Sequence, residues 1–241
     1  MPDKDGIIKL VRKTLEYDKQ INIHRHPVKI SYADGVVILE GEVESVAAKK
    51  LALEHAAAVD GVRGVADRLR VTPAERRGDG AIRDSVCAFL LHQAEFRQCA
   101  IRALASGRVE MLRDVAAGGD GDIEVAVSDG VVTLEGRVSS NSHKRVAGVL
   151  AWWSPGCRDV VNSLAVEPPE EDNDDEVLDA LGLVLEIDPL TRGAQIHVSC
   201  RDYVVTLEGF VHTEQGRGQA ERDAWYLFAV DRVVNRIEVR G

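Results

Sequence analysis

The sequence predicts an α+β fold of three tandem αββαβ modules, each a three-stranded sheet with two helices on one face, and three observations carry that prediction. The first is repetition. Asp34-Gly-Val-Val-Ile-Leu-Glu-Gly-Glu-Val43 returns as Asp129-Gly-Val-Val-Thr-Leu-Glu-Gly-Arg-Val138 and, altered, as Asp202-Tyr-Val-Val-Thr-Leu-Glu-Gly-Phe-Val211. The second is a period-2 run before each copy: Val28-Lys-Ile-Ser-Tyr32, Ile123-Glu-Val-Ala-Val127 and Ile196-His-Val-Ser-Cys200, which marks a half-buried strand. The third is spacing: 26 residues separate Gly41 from Asp67, Gly136 from Asn162 and Gly209 from Asn235. Equal spacing without a gap means one backbone used three times.

Each motif reads as a β-hairpin. The Asp-Gly turns (Gly35, Gly130) suit a type I′ turn, whose central residues need positive φ. In the third copy Tyr203 takes the glycine's place, which strains that position or demands another turn. The glycines inside the return strands, Gly41, Gly136 and Gly209, suggest a bulge or a close approach by another backbone.

Module one spans 4–73. Ile7, Ile8, Val11 and Leu15 place a helix over residues 4–18. The hairpin follows at 28–43, then an alanine-rich helix with Ser45 as N-cap, stopped by Gly61, and a strand over 62–71. Module two spans 79–168, with a helix over 140–153 and a strand over 160–166. It also carries an insertion near 95–122: Val86 to Ile123 takes 37 residues where Val177 to Ile196 takes 19. Its apolar residues fit a longer helix or an added strand and short helix, closing in a glycine-rich turn. Module three spans 172–241, with a helix ending near Asp188-Pro189, a hairpin over 195–211, a helix over 213–228 and a strand over 230–239.

The net charge is −10, and Glu167 to Glu176 holds seven acidic residues and no basic one. Such a run reads as a solvated linker. The acidic balance argues against nucleic acid as a partner. The four cysteines, Cys87, Cys99, Cys157 and Cys200, have no ligand or disulfide spacing and read as reduced thiols. No apolar stretch is long enough to span a bilayer. The segment Met1 to Lys9 has no apolar core, so a cytoplasmic location is expected, with envelope association if the natural chain starts further upstream.

The motif combination, with helix alanines Ala56, Ala151 and Ala224 and tails Val160-Val-Asn-Ser-Leu164 and Val233-Val-Asn-Arg-Ile237, resembles the BON domain. Module one departs from the tail pattern with Asp67. The resemblance implies a non-catalytic, stress-associated module that attaches to phospholipid surfaces or to proteins; one relative of the family senses potassium, which makes cation sensing or self-association the alternative.

Candidate binding residues lie on the second helices. Trp152 and Trp153 stand where module three has Trp225 and Tyr226 and module one has Ala57 and Ala58. Neighbours on a helix point about 100° apart, so a pair cannot share one core. Two readings stand: packing between repeats, or an interface for a membrane or protein partner. Lys144 and Arg145, with Arg137, His143 and Arg158, form the one basic cluster, which a solvated face also explains. The seven histidines fall in separate elements, so no metal site or cofactor is expected. The thrice-repeated Glu40, Glu135 and Glu208 mark the fold and not acid–base chemistry, and no nucleophile constellation appears.

Overall fold

A computed structural model describes residues 3–115 and 119–240. The chain forms two compact units, Met1–Pro73 and Ala74–Gly241. Part of the expected glycine-rich turn, residues 116–118, lies outside the described residues.

In the first unit α1 (Lys4–Tyr17) precedes β1 (Lys29–Ala33), β2 (Val36–Val43), α2 (Val46–Ala57) and β3 (Gly64–Val71). The sheet order is β1-β2-β3, antiparallel then parallel. Ile7, Val11 and Leu15 of α1 and Leu51, Ala52 and Ala56 of α2 are buried with Val37 and Leu39 of the sheet. That is the αββαβ module, and Ser45 caps α2 by accepting from Ala48 N–H.

The second unit holds two modules. One comprises α3 (Asp79–His92), a 3₁₀ turn (Ala94–Phe96), β4 (Cys99–Ala105), β5 (Arg108–Arg113), β6 (Gly121–Ser128), β7 (Val131–Val138), α4 (Asn141–Trp153), β8 (Asp159–Asn162) and β9 (Ala165–Val166). The other comprises α5 (Asp174–Ile187), β10 (Gln195–Arg201), β11 (Val204–Val211), α6 (Glu214–Tyr226) and β12 (Arg232–Val239), with sheet order β10-β11-β12.

Module two differs from the expected three strands. Its insertion is a β-hairpin turning at Ser106-Gly107, and β4 joins the sheet parallel to β6. The order becomes β5-β4-β6-β7-β8, while β9 continues the last strand along β7. Arg113 pins the hairpin's base, donating to the carbonyls of Cys99, Leu91 and Phe96 at 3.0, 3.3 and 2.5 Å. Of the two readings of the insertion, the added strand with a short helix lies nearer, but there are two strands and the helix is one 3₁₀ turn.

The return-strand glycines are points of close approach. The register runs through Gly136 and Gly209 without a shift. A methyl group on Gly41 would lie 2.9 Å from the Pro27 carbonyl oxygen, and on Gly136 or Gly209 it would collide with the carbonyl of Asp122 or Gln195. All three have φ between 113° and 145°. The turn holds in the third copy too: Asp202 and Tyr203 adopt φ 51° and 59°. There the first residue of α5 supports it, with the Asp174 carboxylate accepting from the N–H groups of Asp202 and Tyr203 at 2.8 and 2.9 Å. Asp79, first in α3, does the same for Asp129 and Gly130. Fixed acceptors for both turn amides explain how a tyrosine is held in a left-handed conformation.

The tail asparagine joins the last strand to the second helix. Asn162 donates to the Lys144 carbonyl at 2.7 Å, and Asn235 to that of Arg217 at 3.1 Å. In module one the departure to Asp67 is matched by Lys49, which occupies the place of Lys144. Its buried ammonium lies 2.9 Å from the Asp67 carboxylate and 3.1 Å from the Leu69 carbonyl.

Replacing Gly209 by alanine should destabilise the second unit by about 3 kcal/mol or more, because strained backbone and a backbone collision coincide. Urea unfolding followed by tryptophan fluorescence checks this, since all three tryptophans, Trp152, Trp153 and Trp225, lie in that unit.

Candidate functional site

Four helices of the second unit meet where α4 ends, and the helix-two aromatics lie there. Trp152 stacks on Tyr226, with centroids 5.8 Å apart and planes within 12°. Trp153 meets the edge of Phe89 from α3 at 6.5 Å. Trp225 is buried, and its Nε1 has no hydrogen-bond partner among the described residues. Trp152, Trp153 and Tyr226 are half-buried. These rings therefore join module two to module three.

Asp223 lies behind them. It is 0% exposed, and one carboxylate oxygen accepts from Trp153 Nε1 and Gln219 Nε2, both at 2.9 Å. The other oxygen has no partner among the described residues. Burial pushes this carboxyl up to about 7; the Trp153 bond opposes that, Asp188 adds to it, and Gln219 and Arg222 oppose it. Burial likewise pushes the Tyr226 phenol up to about 12. The sequence held a signal for Asp223: it is an acid within one turn of Ala220 and Ala224, on a face that alanines mark as buried.

Arg145 corrects the reading of the basic cluster as a solvated face. Its side chain is 0% exposed, donating from Nη2 to Asp172 at 2.6 Å, with the guanidinium 4.2 Å over the Phe228 ring. Its Nε and Nη1 have no partner among the described residues. Lys144 sends its ammonium over the same ring at 5.5 Å. Arg137 pairs with Asp122, and His143 lies 2.6 Å from Ser140 Oγ.

The acidic run 167–176 is likewise not a free linker. A Glu170 carboxylate oxygen accepts from the Asn141 N–H, and Ser142 Oγ donates to Glu176 at 3.0 Å. Asn173 caps α5. The physical reason is the N-terminus of α4, whose unpaired N–H groups and positive dipole end draw carboxylates, together with the buried guanidinium one turn on. Cys87, Cys99 and Cys157 are buried thiols outside any disulfide, and Cys200 is half-buried. Burial raises the Cys87 thiol to about 11; Cys200 is raised to about 12, by burial and then by its bond to Asp174.

A second feature lies at the sheet edge. β5 pairs with β4 alone among the described residues, and Val109 and Met111 on it are 55% and 50% exposed. They stand opposite Leu104 and Arg102 in the register, on the face carrying the Arg102–Asp122 ion pair.

The profile of the BON domain matches residues 3–73, 109–168 and 173–241, most of the chain. The chain belongs to the BON-domain family. BON domains are generally non-catalytic and associated with phospholipid or protein binding. The middle match begins inside β5, so α3, the 3₁₀ turn and β4 precede it. No curated protein matches the chain. Among solved structures, the C-terminal domain of CdsD, the structural protein of the type III secretion system of Chlamydia trachomatis, is similar at 14% identity, covering 100% of both chains with a TM-score of 0.25. A second structure of CdsD gives 15% identity over 97% of this chain and 92% of that one, with a TM-score of 0.24.

Two predictions concern the joint. Asp172→Ala leaves the buried Arg145 guanidinium without its carboxylate and should cost about 2–3 kcal/mol, while adding Arg145→Leu should restore part of that loss. A double-mutant cycle by urea unfolding measures it. For Asp223 the folded pKa is raised, so the native state binds the extra proton between the unfolded value near 3.8 and about 7. Its stabilising contribution is full below pH 4 and is lost as pH rises to 7. Asp223→Asn mimics the protonated form, so its stability gain over the native chain should grow from pH 4 to pH 7, to on the order of 3 kcal/mol. Unfolding free energies of both chains across that range give the difference directly.

Proposed function

We propose that this chain is a non-catalytic BON-repeat binding protein whose partner is a protein, engaged by strand addition at β5. The observation that carries the reading is the edge itself. Among the described residues, the outer edge of β5 presents an unpaired row of backbone donors and acceptors beside the exposed side chains of Val109 and Met111. An extended segment added there would gain main-chain hydrogen bonds and apolar side-chain contacts together.

A phospholipid surface is the other partner class associated with BON domains. Binding to anionic lipid draws on free basic side chains near the surface. Here Arg145 is buried on Asp172, Lys144 leans on Phe228 and Arg137 pairs with Asp122, which favours the protein partner. The helix-two aromatics are turned to the joint, so docking through them is the weaker version of the proposal.

Extended peptides selected from a random library on the full chain should protect residues 108–113 from hydrogen exchange. The double variant Val109→Lys/Met111→Lys should bind them about tenfold or more weakly, since two apolar contacts are replaced by charges. Selected peptides that bind the variant equally well would refute the edge. Association of both chains with anionic vesicles at low salt, without peptide binding, would replace the protein partner by a lipid surface.

A further inference from the structure

We propose that the cleft between modules two and three binds a small organic ammonium ion with an apolar body. The cleft has a volume of about 570 Å³, within the range of small-molecule sites. Phe89, Trp152, Trp153 and Tyr226 supply aromatic walls, and Ile187 and Leu190 extend them.

Charge selects the ligand. Among the described residues Asp188 is the one charged residue lining the cleft, and its carboxylate is oriented by accepting from the Leu190 N–H at 2.7 Å. Behind the wall lies Asp223, fully buried, with one oxygen unpartnered among the described residues and the other held by Trp153 and Gln219, both of which line the cleft. Arg222, whose charge acts on Asp223, donates from its guanidinium to Gln219 Oε1 at 2.5 Å. The Asp188 carboxylate thus biases one wall negative, and among the described residues no basic side chain lines the cleft to offset it.

An anion finds no donor cluster there. A compact inorganic cation needs a shell of oxygen ligands, whereas rings make up much of this wall. A weakly hydrated ammonium ion with methyl or methylene groups gains from ring faces and from the acidic wall together. Module one has Ala57 and Ala58 at the positions of these aromatics, so the site belongs to the pair formed by modules two and three.

The test uses choline and its neutral carbon analogue 3,3-dimethylbutan-1-ol on the full chain, at constant ionic strength, read by intrinsic fluorescence; two of the three tryptophans, Trp152 and Trp153, line the cleft. Choline should give a saturable change, and the neutral analogue should bind about tenfold more weakly. Asp188→Asn keeps an acceptor for the Leu190 N–H and should weaken choline about fivefold while leaving the analogue unchanged. Trp152→Leu keeps apolar bulk but removes a ring face, and should weaken choline about threefold. Circular dichroism establishes which variants fold, and either folded variant decides the matter. No saturable response, equal binding of the two probes, or choline affinity unchanged in the folded variants would overturn the proposal.

Discussion

The second unit depends on a guanidinium placed where water cannot reach it. Arg145 projects from α4 and lies between Asp172 and the face of Phe228, so one side chain contacts module two, the connecting segment and module three. Burying that charge costs several kcal/mol unless a partner compensates. The geometry offers a carboxylate at 2.6 Å and a ring at 4.2 Å, with two guanidinium nitrogens left unpartnered among the described residues. An interaction so incompletely compensated adds little net stability. It fixes how the two modules sit, because any other arrangement would strand the charge. The position nine residues after the hairpin glycine is Lys50 in module one and Gly218 in module three. Only module two carries the residue that the joint needs.

The same logic explains the acidic segment. Seven carboxylates in ten residues repel one another in an extended chain, yet here the N-terminus of α4 and the Arg145 guanidinium gather three of them onto one helix end. The segment becomes a clasp between modules. Asp174 then supports the Asp202-Tyr203 turn, and the Tyr203 hydroxyl donates back to the Asp172 carbonyl at 3.1 Å. A tyrosine in a glycine's place, with its backbone strain, is thereby part of the clasp.

What was legible in the sequence was local. Asp-Gly turns, the Ser45 cap, the stop at Gly61 and the packing glycines each depend on neighbours a few residues away, and repetition reinforced each signal, the packing glycines in all three copies and the Asp-Gly turn and the glycine stop in two. The joint was not legible, because Arg145 and Asp172 are 27 residues apart and no pattern distinguishes a basic residue on a solvated face from one that a later module will cover. The aromatics could be located but not oriented, since Trp152 meets Tyr226 only once two modules are docked. The added hairpin had a signal in Ser106-Gly107, a dipeptide that marks turns. Its outer strand lacks the clean alternation of a half-buried strand because almost none of it is buried: five of the six residues of β5 are exposed.

The proposed strand addition rests on that exposure and not on the repeated motif. In modules one and three the first hairpin strands, β1 and β10, are themselves sheet edges. In module two β4 covers the corresponding β6, and the edge moves outward to β5. Covering an edge guards against unwanted pairing, but β4, which buries Ile101 and Ala103, would without β5 be an edge itself. β5 adds a new edge and leaves Val109, Met111 and Leu112 in water, which opposes both solubility and the economy of the core. A strand that buries so little of itself and still leaves the sheet with an open edge is the feature on which the proposed strand addition rests.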